Sequence, residues 1–203
     1  RALRGALAPT AVWLTDEGLG GIAVHVANDG AEPLAATLRV ALYADARREV
    51  AGAREEVRLG AHATLSLDLE EMLGRFVDAS WAYRFGPPAQ DVIVATLEAP
   101  DGPAPVLSQA TIFPAGRPSL AESAEELGLE GELRSGAGPE LVLRSRRLVH
   151  RVRLAGAAGE ASHAAFSLEP GVDRTLPLST LMGTESTVAV TALNLRGRFL
   201  VQP

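Results

Sequence analysis

The chain has 203 residues, a hydrophobic fraction of 47% and a net charge of −6. That suits a packed core in one large or two small domains, and its scattered basic residues exclude the clustered basic face that nucleic acid requires. It has no cysteine, so disulfides, thiol nucleophiles and thiolate metal sites are excluded and a reducing, cytoplasmic setting is expected. Its apolar runs, such as Val92-Ile93-Val94-Ala95, fall far short of the roughly 18 residues that span a bilayer, so no membrane partner is expected.

All 19 basic residues are arginine, which reads as the codon bias of a GC-rich genome rather than as phosphate recognition. The chain opens on Arg1 with a strand-like segment close behind. We expect it to be part of a longer polypeptide.

In chain order, residues 11–15 alternate and end at Asp16-Glu17-Gly18. In residues 21–26, Ile22, Val24 and Val26 share one face, because side chains alternate across a strand. Asn28-Asp29-Gly30 follows, a turn expected to use positive φ. Residues 34–43 place Leu38, Val40 and Leu42 on one face, the more polar residues 50–59 read as an edge strand, and residues 64–69 alternate Leu65, Leu67 and Leu69. A short helix is predicted over residues 69–76. Residues 91–97 are nearly all apolar and read as a central strand, and residues 106–113 complete the set. Seven short strands separated by turn residues predict a sandwich.

The run Pro114-Ala115-Gly116-Arg117-Pro118-Ser119 interrupts both helix and strand and marks a boundary. Strands are predicted again over residues 127–133, 141–143, 148–154, 165–168, 174–178, 187–193 and 196–201. The fold expected is all-β, two immunoglobulin-like β-sandwich domains in tandem over residues 1–116 and 117–203.

Two stretches carry a family resemblance. One is Phe166-Ser167-Leu168-Glu169-Pro170-Gly171-Val172-Asp173-Arg174-Thr175-Leu176-Pro177-Leu178, an aromatic, a Leu, a Pro-Gly turn and an alternating strand. It resembles the last immunoglobulin-like domain of family 2 glycoside hydrolases of the β-mannosidase type. That pattern often has Asp-Asn-Tyr-Phe before the Leu, where this chain has His163-Ala164-Ala165-Phe166. The other runs from Gly74 through Phe76, Trp81, Tyr83 and Phe85 to Pro88; with residues 91–94 and 113–118 it is similar to the post-barrel domains of bacterial members. The resemblance implies a parent that hydrolyses β-mannosides or related β-glycosides with two glutamates on a (β/α)₈ barrel. This chain lacks the strand–helix alternation of a barrel. It is therefore expected to be a non-catalytic C-terminal accessory region, with no catalytic residue and no cofactor. Its expected partner is the catalytic barrel of the same polypeptide, with a second copy of the chain or carbohydrate as further possibilities.

Few residues invite a site. The acid pairs Asp16-Glu17, Glu55-Glu56, Glu70-Glu71 and Glu125-Glu126 are adjacent, a geometry that makes no catalytic dyad, and are expected to be solvated. His25, His62, His150 and His163 lack metal-ligand spacing, and Ser162-His163 lacks a nucleophile elbow. His25 falls on the face opposite Ile22, Val24 and Val26, toward solvent or another domain. Arg144, Arg146, Arg147, Arg151 and Arg153 read as a polar strand face that pairs with acids such as Glu140 or meets another domain.

The most suggestive group is Asp78, Trp81, Tyr83, Arg84 and Phe85. In an extended chain Trp81 and Tyr83 share a face and stack on a sugar ring, with Asp78 and Arg84 adding polar contacts. Set against this carbohydrate-binding module is a packing reading, in which Trp81, Tyr83 and Phe85 anchor the segment to the sandwich or to the barrel.

Overall fold

The computed structural model describes residues 8–100, 106–117, 120–134, 139–156, 159–160, 165–178 and 187–202. The chain divides into two compact units, Arg1–Arg117 and Pro118–Pro203.

The first unit holds β1 (Thr10–Asp16), β2 (Ile22–Asn28), β3 (Leu34–Ala44), β4 (Arg48–Leu59), β5 (Ala63–Asp68), β6 (Val92–Glu98) and β7 (Val106–Ile112). These form two antiparallel sheets, ordered β1-β2-β5 and β4-β3-β6-β7. Alternation explains the core between them. Ile22, Val24 and Val26 come from one sheet, and Leu38, Val40, Leu42, Ile93 and Leu97 from the other, and all are fully buried. Each such side chain contributes roughly 1.5–3 kcal/mol. β6 is buried on both faces along residues 92–97, as its unbroken apolar run requires. β4 is an edge strand. Its Arg54, Glu56 and Arg58 are exposed while Val57 and Leu59 turn inward, an arrangement that discourages pairing with another chain.

Two turns differ from what composition suggests. None of residues 28–30 takes positive φ. Asn28 instead acts as a tether: its Nδ2 donates to the carbonyls of Glu32 and Gly60, both at 2.8 Å, and its Oδ1 accepts from the Gly30 N–H. Positive φ falls at Asp45 and Ala46, at +55° and +51°, where β3 turns into β4. That is the mirror-image turn that matches strand twist in a hairpin.

The second unit holds β8 (Glu130–Arg134), β9 (Glu140–Arg144), β10 (Val149–Gly156), β11 (Gly159–Glu160), β12 (Phe166–Leu168), β13 (Arg174–Pro177), β14 (Val188–Thr191) and β15 (Phe199–Val201). Its sheets are β13-β9-β8 and β11-β10-β14-β15, with β12 also on β10. Leu141, Leu143, Val152, Phe166, Leu168, Leu176, Val190 and Val201 fill the core. Leaving aside the two-residue β11, the path matches that of the first unit. In each, the first, second and fifth strands form one sheet, and the third is flanked by the fourth and sixth in the other. Both units are immunoglobulin-like sandwiches.

The Pro170-Gly171 turn forms as its residue types require. The Val172 N–H donates to the Glu169 carbonyl, and Gly171 takes φ +72° at the third position. It does not close a hairpin, because β12 pairs with β10 and β13 with β9, so the chain crosses from one sheet to the other here.

The helices are short. α1 (Leu69–Leu73) starts on Asp68, whose Oδ1 accepts from the N–H groups of Glu70 and Glu71, and ends at Gly74, left-handed at φ +64°. It stops three residues before the predicted end, because that left-handed glycine breaks the ladder. α2 (Ala124–Leu127) lies where strand was predicted to begin. Ser123 and Glu126 cap each other's N–H groups there. Glu126 is thus a helix cap, not only a solvated acid. Among the described residues no helix is long and apolar enough to cross a membrane.

Candidate functional site

Residues 74–91 leave α1 and reach β6 without regular structure, yet internal bonds fix the path. Ala79 is fully buried and Ser80 nearly so. The Ser80 hydroxyl donates to the Gly18 carbonyl at 2.7 Å. Gln90, also buried, donates from Nε2 to the Asp78 and Ala79 carbonyls. The Asp78 carboxylate accepts from the Ala82 N–H at 2.9 Å, and its carbonyl accepts from the Trp81 N–H at 3.1 Å. Asp78 is therefore the loop's internal brace.

That bracing overturns the shared face predicted for Trp81 and Tyr83. The segment is not extended. Trp81 and Arg84 are left-handed at φ +54° and +51°, a conformation that costs a bulky L-residue about 1–2 kcal/mol. Trp81, half-buried, donates from Nε1 to the Gly86 carbonyl at 2.8 Å and carries the Arg84 guanidinium 5.3 Å above its ring. Tyr83 belongs to another group. Phe76 meets it edge-on and Phe85 stacks against it, each with centroids 5.6 Å away, and its hydroxyl donates to the Leu19 carbonyl at 3.4 Å. Among the described residues no ring contact joins Trp81 to Tyr83. Phe76, Tyr83 and Phe85 form an apolar surface cluster, with Phe85 86% exposed.

Beside this cluster lies a hollow of about 360 Å³, lined by Asp16, Gly18, Ser80, Trp81, Ala82, Arg84, Pro114 and Ala115. Reading the sequence brought Trp81 and Arg84 to this place but missed Asp16, at the end of β1, and Pro114 and Ala115, beyond β7. Asp16 Oδ1 accepts from the Gly18 N–H at 2.9 Å. Burial pushes the Glu70 carboxyl above the usual carboxylate range, and Asp68 and Asp78 push it further.

The remaining candidates resolve into local structure. His25 stacks on Trp13 with centroids 5.0 Å apart, and both its ring nitrogens sit 2.8 Å from hydroxyls, those of Thr15 and Ser66. This row crosses β1, β2 and β5 on the face away from the core. Arg147 pairs with Glu122 at 3.0 Å and Arg144 with Asp173 at 3.6 Å, not with Glu140. Ser162 and His163 lie outside the described residues. Among the described residues no group of three or more His, Asp or Glu is arranged to hold a metal ion.

No protein-family model matches the chain, and no curated protein matches it in sequence. Solved structures do match in fold. An exo-chitosanase of Amycolatopsis orientalis, in complex with PNP-β-D-glucosamine, aligns with TM-score 0.55 and 15% identity over 98% of this chain and 27% of its own. A β-D-mannosidase from Dictyoglomus thermophilum aligns with TM-score 0.60 and 14% identity over 96% of this chain and 23% of its own. The likeness defines a class of fold, a tandem pair of immunoglobulin-like sandwiches matched along almost the whole chain. This chain spans about a quarter of the length of both neighbours.

Proposed function

We propose that the chain is a non-catalytic accessory region of a β-mannosidase-like family 2 glycoside hydrolase. The observation that carries this reading is the extent of the fold match. Both sandwiches align together with the two enzymes, over 98% and 96% of the chain. The Phe166 to Leu178 stretch, with its crossing Pro-Gly turn, supports the same reading from sequence.

The role we assign is docking. The cluster of Phe76, Tyr83 and Phe85 sits on a loop whose backbone is already fixed by Asp78, Ser80 and Gln90. Burying it would cost little ordering entropy, and aromatic anchors dominate interface energies. Its partner in this reading is the catalytic domain of the same polypeptide. Phe85→Ser tests it. In the isolated chain the side chain is 86% exposed, so the melting temperature should stay unchanged. In the full-length polypeptide the substitution should cost roughly 1.5–3 kcal/mol. An equally small effect in both would contradict docking through this cluster.

A further inference from the structure

The hollow beside the aromatic cluster has a chemistry of its own. Asp16 brings a carboxylate, one oxygen of which is held by the Gly18 N–H. Arg84 brings a guanidinium held over Trp81. No ion pair joins either side chain to another described residue. The same hollow is lined by the small apolar surfaces of Ala82, Pro114 and Ala115. The Ser80 hydroxyl donates to Gly18 and keeps acceptor capacity.

Three classes of ligand can be weighed against this lining. An anion would gain from Arg84 but meet Asp16. A nucleobase or other flat aromatic would find Arg84 already on the indole face. An uncharged polyol fits both charges, because each hydroxyl can donate to the carboxylate or accept from the guanidinium, while C–H faces rest on the alanine and proline surfaces. The volume of about 360 Å³ lies within the range of small-molecule sites. The Trp81 indole, anchored to the Gly86 carbonyl, holds the guanidinium over its face before any ligand arrives.

We propose that this hollow is a subsite for an uncharged pyranose unit of a β-linked oligosaccharide, held by hydrogen bonds to Asp16 and Arg84 and not by stacking on a Trp81–Tyr83 platform. The choice of a sugar among polyols rests on the glycoside-hydrolase reading above. The test is calorimetric titration of the 203-residue chain with mannotriose and cellotriose, alongside two variants chosen to keep the fold. Asp16→Asn retains an acceptor for Gly18, and Arg84→Asn tolerates the left-handed backbone. Unchanged melting temperatures establish that both variants fold. The expected result is a dissociation constant on the order of 1 mM for at least one trisaccharide, weakened at least tenfold in each variant, with Trp13→Ala binding like the parent. No heat with either sugar at tenfold higher concentration would overturn the proposal, as would binding that both variants retain. Binding of the zwitterion glycine betaine in place of the sugars would overturn it too. Failure here leaves the docking reading intact if Phe85→Ser still destabilises only the full-length polypeptide.

Discussion

Gly131 sits opposite Leu143 in the β8–β9 ladder, and the space a Cβ would need is taken. The added atom would lie 2.5 Å from Val201 Cγ2 and 3.1 Å from Leu143 Cδ2. Gly131→Ala is therefore predicted to destabilise by about 1–3 kcal/mol through overpacking, read as a lower midpoint in urea. A second prediction concerns Glu70, whose pKa is raised by burial first and by Asp68 and Asp78 next. A carboxyl that binds its proton more tightly when folded penalises the folded state above its folded pKa, and the penalty disappears below its unfolded value. Glu70→Gln should thus raise the melting temperature at pH 7 and bring no gain in acid below the ordinary carboxylate range. A gain of equal size at both pH values would contradict the electrostatic cause. The residue scale is also where the sequence was least legible. Trp81 and Arg84 stand out in the sequence, but nothing in a Trp or an Arg signals positive φ. The bonds that bend the loop reach Gly18 and Leu19, 62 and 64 residues away, beyond any local pattern.

At the scale of elements, alternation was the reliable guide. Every strand whose apolar residues fall two apart in the first unit forms, and Ile22, Val24 and Val26 are all fully buried. The sandwich fold follows from that pattern. The strand predicted from Leu127 overlaps α2 at its last residue. The competing signal was present in Ser123, in Glu126 three residues on and in Gly128, a capping box followed by a left-handed stop. The Ser123 backbone N–H and hydroxyl hold Glu126 below the usual carboxylate range. A depressed carboxyl pKa contributes stability above the unfolded value and loses it as pH falls through the folded one. Ser123→Ala should cost about 1 kcal/mol at pH 7, and its effect should shrink in acid as Glu126 protonates. A penalty independent of pH would mean that the Ser123 hydroxyl does not act on the Glu126 carboxylate.

At the scale of the whole chain, the two units share a strand path without a sequence repeat that the eye can find. Their likeness lies in which strands face which, and core positions accept many apolar residues of similar size. The same tolerance explains how a fold match can span 98% of the chain at 15% identity. Docking contacts leave still less trace in one chain's sequence, since an interface is defined by what it meets. The most direct measurement is hydrolysis of p-nitrophenyl β-D-mannoside and β-D-glucosaminide by the full-length polypeptide, with and without residues 1–203. The account predicts that the intact polypeptide cleaves at least one of them and that removing these residues lowers its turnover or its melting temperature. An intact polypeptide that cleaves neither, or one that keeps both its turnover and its stability after the deletion, would contradict it.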